Sequence, residues 1–162
     1  MREPLLAIMQ NAKIVVDPTP RHRRQLRKWL RDEQTNSRSG FYCNWQIIND
    51  AFKEKQIQCV CYRNNAIAFG VFGRLDTDTE LSIVEVHPKY RNRGVGKVLM
   101  HHLIRYFREH DVRYVHLECV PASSEVFWRS LGFRAYRNSE AGDSRVLLRR
   151  STRRDIGLTT RG

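Results

Sequence analysis

The spacing of apolar residues changes twice along the first half of the chain. A short β-branched run ends at Asp17-Pro18, which predicts a strand followed by a stop. Leu26, Trp29 and Leu30 then recur at helical spacing, with basic residues on the opposite side. The elements predicted in this half are a strand over 13–16, helices over about 20–33 and 42–55, and strands over 57–62 and 66–72 that form a hairpin.

The second half predicts a strand, a longer amphipathic helix, and shorter elements that return to the sheet. These are a strand over 80–87, a helix from Gly94 to about Glu109, a strand over 113–120, a helix over 123–130 closed by Gly132, and a hairpin of strands over 133–137 and 145–149. This order predicts an α/β (α+β) fold, in which about four helices cover both faces of a mixed sheet of six to seven strands.

Size and composition favour one globular domain. We expect that domain to span residues 13–150, with an N-terminal extension over 1–12 and a basic tail over 151–162 that frays from Arg150 onward. No apolar run reaches the roughly 18 residues that span a bilayer, and the N-terminus lacks the pattern of a signal peptide. We therefore expect a cytoplasmic protein without membrane contact. The four cysteines, at positions 43, 59, 61 and 119, are expected to be reduced thiols without a metal.

The loop Arg91-Asn92-Arg93-Gly94-Val95-Gly96-Lys97 lies between a predicted strand and a predicted helix. The first amides of a helix have no partner within it, and the positive end of the helix dipole lies beside them. Glycines let an anion approach such amides closely, and the side chains of Arg91, Arg93 and Lys97 add positive charge. The loop therefore predicts a pyrophosphate site. A Walker A loop would need Ser or Thr at Val98, and a dinucleotide fingerprint would need glycine at Leu99.

At these residues the chain resembles the GNAT superfamily of acyl-CoA N-acyltransferases. The family hallmark, Arg/Gln-x-x-Gly-x-Gly/Ala, is matched by Arg91 to Gly96, and the preceding Val86-His-Pro-Lys-Tyr is also typical. Downstream, residues 127–133 (Phe-Trp-Arg-Ser-Leu-Gly-Phe) resemble the segment that joins the fourth helix to the sixth strand of the family. The resemblance covers about residues 14–149 and implies the GNAT fold and N-acetyl transfer from acetyl-CoA, without a metal.

The resemblance also assigns positions along the cofactor. The pyrophosphate of acetyl-CoA is expected on the loop from Arg91 through Lys97. The pantetheine arm is expected along Val84 to Val86, where this strand splays from the next strand at 117–120. The amide of Val86 is the preferred donor to the thioester carbonyl, where one preorganised N–H contributes about 3 kcal/mol.

Two carboxylates qualify as the base that deprotonates the acceptor amine. The resemblance favours Glu80, which matches the position where some family members keep the base, and Glu85 is the second candidate. Because they lie five residues apart on a strand, these two side chains are expected to point to opposite faces of the sheet, so that at most one of them faces a given cleft.

The sequence departs from the family at the leaving-group step. Many members protonate the departing thiolate with a tyrosine, where this chain has Trp128, and the Asn that many members have near the start of this helix is replaced by Pro121. An indole N–H donates a hydrogen bond but does not release its proton. Ser124, one helical turn earlier, is the candidate to hydrogen-bond the sulfur.

The acceptor remains open at this stage. The formal charge of +12 and the basic helix over 21–31 suit an anionic partner, such as tRNA, as well as an ordinary solvated surface. The preferred acceptor is an amine on a small molecule or a protein. The alternatives are a toxin-type enzyme that acetylates aminoacyl-tRNA and a module that binds acyl-CoA or nucleic acid without turnover. A homodimer is also compatible with the family.

Overall fold

A seven-stranded mixed sheet forms the centre of the molecule. The computed structural model describes residues 5–136 and 146–154. The strands are ordered β1-β2-β3-β4-β5-β7-β6 across the sheet, and only β4 and β5 pair in parallel among the described strands. Their bounds are β1 Lys13–Val15, β2 Ile57–Tyr62, β3 Asn65–Phe72, β4 Asp78–Val86, β5 Tyr114–Glu118, β6 Arg134–Ala135 and β7 Leu147–Ser151.

Helices cover both faces of this sheet, as the sequence predicted. They are α1 Leu5–Asn11, α2 Pro20–Ser37, α3 Trp45–Glu54, α4 Val95–Glu109 and α5 Glu125–Ser130, with 3-10 turns at Tyr42–Asn44, Pro88–Tyr90 and Ala122–Ser124. Two apolar clusters result. One contains the buried side chains of α1, α4 and α5, and the other contains those of α2 and α3.

Strands β4 and β5 separate soon after they begin to pair. They pair in parallel only where Asp78–Glu80 of β4 lies beside Tyr114–His116 of β5. Beyond it, the end of β4 pairs with β3 on one side, and the end of β5 pairs with β7 on the other. The carboxyl half of β4 therefore borders an opening in the middle of the sheet, where backbone groups are available to a ligand.

Because of a β-bulge in β4, the side chains of Glu80 and Glu85 point in directions that differ from those expected. The register with β3 shifts between the Val71–Ile83 and Phe72–Leu81 pairs, which leaves Ser82 as an extra residue in β4. Leu81 consequently joins the apolar cluster on the α4 side, whereas Ile83 joins the cluster on the α2–α3 side. The prediction that Glu80 and Glu85 point to opposite faces was wrong. The extra residue reverses the alternation, and both carboxylates lie on the α2–α3 side.

Regular structure extends beyond the expected domain bounds of 13–150 on both sides. The N-terminal segment contains α1, whose Ile8 is fully buried in the core. Arg150 and Ser151 belong to β7, and the buried Thr152 hydroxyl donates to the Val112 carbonyl at 2.6 Å. Fraying from Arg150 was therefore a wrong prediction. The rest of the expected tail, over 155–162, and Arg137 and Arg145 of the expected hairpin lie outside the described residues.

Helix α2 also continues four residues beyond its predicted end at Glu33.

None of the helices within residues 5–136 and 146–154 combines the length and apolarity that a membrane span requires.

Candidate active site

A cavity of about 790 Å³ lies over the glycine loop and the opening between β4 and β5. It is lined by every residue that the sequence assigned to the cofactor except Arg93, which is half-buried. Ser124 and Glu85 are also among the residues that line it. Its lining residues from this set are Val84, Val86, Arg91, Asn92, Gly94, Val95, Gly96 and Lys97.

The backbone of the loop presents unpaired amides to this cavity. Gly94 has φ +79° and Asn92 has φ +59°, a left-handed conformation that glycine and asparagine adopt most readily. The first hydrogen bond of α4 runs from the Val98 amide to the Gly94 carbonyl at 3.1 Å. The amides of residues 95–97 therefore have no partner within the helix and can receive an anion.

The end of β4 presents further backbone donors to the opening. The His87 amide donates to the Ile67 carbonyl at 2.8 Å. This bond shows which residues of β4 direct their backbone N–H and C=O groups toward β3. Val86 and Val84 alternate with the residues that bond β3, so their N–H and C=O groups point away from β3. Both amides thus face the gap that β5 has left.

A smaller cavity of about 200 Å³ adjoins the first one at the opening. The two share Phe41, Val84, Val120 and Trp128 as wall residues. The polar side chains of the smaller cavity come from Asn44, Glu80, Ser82 and Glu118. The bulge at Ser82 and the separation of the strands therefore bring Glu80 next to the glycine loop cavity without placing it in that cavity.

Arg91 connects the glycine loop to two buried carboxylates. Its Nε donates to the Val86 carbonyl at 2.9 Å, and its Nη2 donates to Glu33 of α2 at 2.6 Å and also to Glu85. The Glu33 and Glu85 side chains are only 4% and 8% exposed, whereas that of Arg91 is 39% exposed. The guanidinium that the sequence assigned to phosphate is thus engaged with the protein interior.

Two carboxylates share this one guanidinium, and the pKa of Glu85 reflects it. Burial and the neighbouring Glu33 raise the pKa of Glu85 to about 7, against the opposing effect of Arg91. The folded state holds this proton more firmly than the unfolded chain. The protonated Glu85 carboxyl therefore contributes fully to the stability of the fold below the ordinary carboxyl pKa of about 4.5. This contribution is lost as the pH rises through about 7.

The Ser124 hydroxyl reaches the cavity but already has an acceptor. It donates to the Pro121 carbonyl at 2.7 Å, and the Cys119 sulfur lies 3.3 Å away. Its single proton is therefore available to another sulfur only after the hydroxyl rotates. Trp128 is buried against Phe127 and Phe133 and forms part of the wall between the two cavities.

The profile of the Acetyltransferase (GNAT) family matches residues 17–133, which contain the glycine loop and all the described residues that line the two cavities. The chain belongs to the GNAT acetyltransferase family. It is therefore an acyltransferase by family. A comparison with curated protein sequences finds no match.

Solved GNAT structures share the fold of this GNAT acetyltransferase. A GNAT acetyltransferase from Staphylococcus aureus Mu50 has a TM-score of 0.69 at 18% identity, covering 88% of this chain and 99% of its own. PaiA N-acetyltransferase from Thermoplasma acidophilum, in complex with coenzyme A, has a TM-score of 0.68 at 13% identity, covering 87% and 99%. The ribosomal-protein-S18-alanine N-acetyltransferase of Escherichia coli has a TM-score of 0.62 at 15% identity, covering 87% and 94%.

Some site residues of this GNAT acetyltransferase were not identified from the sequence. Glu33 interrupts the apolar stripe of α2 three positions after Leu30, and a carboxylate on a buried stripe was the available signal. Glu118 had no comparable signal, because its role depends on where β5 meets the opening. Among the described residues, no group of three His, Cys, Asp or Glu side chains could hold a metal.

We expect Gly96→Val to abolish measurable CoA binding. A Cβ at Gly96 would lie 3.3 Å from the Phe127 ring and 3.7 Å from Val86, so a branched side chain must occupy the cavity beside the loop amides. A loss of about 100-fold or more in affinity, measured by calorimetry with CoA, is the expected result. Gly73→Val is the control, because a Cβ there meets only ordinary contacts at 3.8 Å. Equal affinities of the two variants would contradict the assigned role of the loop.

Proposed function

We propose that this GNAT acetyltransferase transfers the acetyl group of acetyl-CoA to a primary amine of a small molecule or protein. The amine attacks the thioester directly in a ternary complex. The observation that supports this proposal is the pair of adjoining cavities, which share a wall at the opening between β4 and β5. Two co-substrates bound in them would meet at the end of β4.

The loop and strand amides support binding of acetyl-CoA in the larger cavity. The amides of residues 95–97 receive the pyrophosphate, and Lys97 adds a positive charge at the same wall. The N–H groups of Val84 and Val86 face the gap, where they hydrogen-bond the pantetheine arm and the thioester carbonyl. A fixed amide directed at the developing oxyanion stabilises the transition state by about 3 kcal/mol.

Glu80 is the base that we assign to the acceptor amine. An alkylamine with a pKa of about 10 is mostly protonated at neutral pH and must lose a proton before it attacks. Glu80 lines the smaller cavity, and Glu85 is instead held by Arg91 in the buried ion pair. Glu80 accepts one proton from the ammonium group, directly or through water, and the neutral amine then attacks the acetyl carbon. The carbon–sulfur bond breaks, and CoA leaves as a thiolate that takes up the second amine proton.

The smaller cavity suits an acceptor that arrives with positive charge. Glu80 and Glu118 supply two carboxylates, and no Lys or Arg is among the described residues that line this cavity. We expect Glu118→Gln to raise the KM for a diamine about fivefold, the equivalent of about 1 kcal/mol for an exposed charge pair. The KM for a matched monoamine should change less. Equal changes for both amines would contradict a role of Glu118 in charge recognition.

Steady-state kinetics test the proposed function. CoA release is followed with acetyl-CoA and a panel of amines, and intersecting double-reciprocal lines are expected for direct attack. Parallel lines, or CoA release without an acceptor, would instead indicate an acyl-enzyme. Tight CoA binding without release for any acceptor would support a module without turnover.

Aminoacyl-tRNA is the second candidate acceptor. The exposed basic residues along α2 favour it, since they form a positively charged surface on this helix. They are Arg21, Arg24, Arg27, Lys28 and Arg31. However, Arg27 and Arg31 already lie over the rings of Trp45 and Tyr42. Acetylation of the amino acid on charged tRNA, measured beside the amine panel, distinguishes the two acceptors.

A further inference from the structure

Glu33 lies outside both cavities, yet it contacts the residue that the family places at the cofactor. Its Oε1 accepts from Arg91 at 2.6 Å, and its Oε2 is buried without a hydrogen-bond partner in the part of the chain that the structure describes. The Gly40 backbone covers it, because a Cβ at Gly40 would lie 2.8 Å from the carboxylate. A buried carboxylate with an unpaired oxygen reduces stability, so its presence calls for a functional reason.

The charges of this cluster do not balance when both carboxylates are ionised. Arg91 supplies one positive charge, and Glu33 and Glu85 supply two negative charges, so one negative charge is left over. Glu85 lines the same cavity as Lys97 and the loop amides. A charge there lies in a partly desolvated site where screening is weak, and it opposes the binding of a polyanion.

We propose that Glu33 sets the affinity of the loop for the CoA phosphates, because it holds the Arg91 guanidinium away from them and leaves one uncompensated carboxylate at the cavity. This inference rests on the proposed binding of acetyl-CoA. Glu33 is thus a positioning residue that acts through Arg91. Its effect limits how tightly the CoA product is retained after acetyl transfer.

The charged groups around Glu85 give this effect a distinct pH dependence. Glu33 of α2 and Arg91 act on the Glu85 carboxyl, and His87 beside them also interacts with Asp32 and Lys89. Burial lowers the pKa of His87, which shifts its ring toward the neutral form in both proteins compared. Below the Glu85 pKa of about 7 the cluster is neutral in the wild type, and above it the cluster has one excess negative charge. With glutamine at position 33, Arg91 balances Glu85 whenever Glu85 is ionised, so the cluster has no excess negative charge on either side of that pH.

The test compares CoA binding by calorimetry in the wild type and Glu33→Gln near pH 6 and near pH 8. We expect similar affinities at the lower pH, and about tenfold tighter binding of CoA by the variant at the higher pH. The ratio of the two proteins at each pH cancels the titration of CoA itself. Asp32→Asn removes the same charge from the adjacent exposed position of α2 and should behave as the wild type.

Thermal unfolding separates this role from a purely structural one. Glu33→Gln should unfold at the same temperature as the wild type or higher, because it removes an excess buried charge. Glu85→Gln is the second variant, and it should reproduce the tighter binding near pH 8 because it neutralises the same cluster. A ratio that is independent of pH, or weaker binding by both variants near pH 8, would overturn the inference alone. A wild type that fails to bind CoA at either pH would overturn the proposed function and this inference together.

Discussion

Glu80→Gln should turn over about 100-fold more slowly than the wild type near pH 7, within the range that general-base catalysis contributes. Glutamine keeps the shape and the position in the smaller cavity but cannot accept the amine proton. The defect should shrink to about tenfold near pH 9, because a larger fraction of an amine with a pKa of about 10 is then already deprotonated.

The measurement is kcat/KM against pH with one amine and saturating acetyl-CoA. Asp78→Asn is the matched control, since Asp78 is an exposed carboxylate at the start of the same strand. Its pH profile should match that of the wild type. An equal loss at both pH values in Glu80→Gln would remove Glu80 from the role of base. CoA affinity should be unchanged in this variant, because Glu80 does not line the larger cavity.

Arg91→Met should lower the free energy of unfolding by about 3 kcal/mol near pH 8, the low end of the range for breaking a buried ion pair. The low end applies because the Arg91 side chain is 39% exposed. The variant leaves Glu33 and Glu85 buried without a cation. Removing Arg91 also removes the influence that opposes the raised pKa of Glu85. The carboxyl is then protonated over a wider pH range, so the destabilisation should be smaller near pH 5.5.

Urea unfolding of the two proteins at both pH values measures this difference. The chain offers a matched control in Arg129→Met, because Arg129 and Glu125 form an exposed pair at 3.0 Å on α5. Its loss should change stability by less than about 0.5 kcal/mol at either pH. If Arg91→Met cost no more than Arg129→Met, the buried cluster would be energetically unimportant, and the further inference would lose its basis.

The local pattern of the sequence determined most of the secondary structure and the glycine loop that precedes α4. Helical periodicity located α2, α3 and α4, because each of these helices buries one apolar stripe. Two glycines between a strand and a helix predicted unpaired amides, because the first turn of any helix leaves them. These features depend on neighbours within a few residues, so the sequence alone was sufficient to predict them.

Only the tertiary structure decided how the carboxylates are arranged. One extra residue at Ser82 turned Glu80 and Glu85 to the same face, and periodicity cannot detect a bulge because its register is set by β3. The cluster of Glu33, Arg91 and Glu85 joins residues 58 positions apart in the sequence, so its charge balance depends on how α2 packs against β4. The sequence determined by itself where a glycine loop leads into a helix with unpaired amides. The packing decided which charges surround that loop, because electrostatic interactions depend on distance and burial rather than on order along the chain.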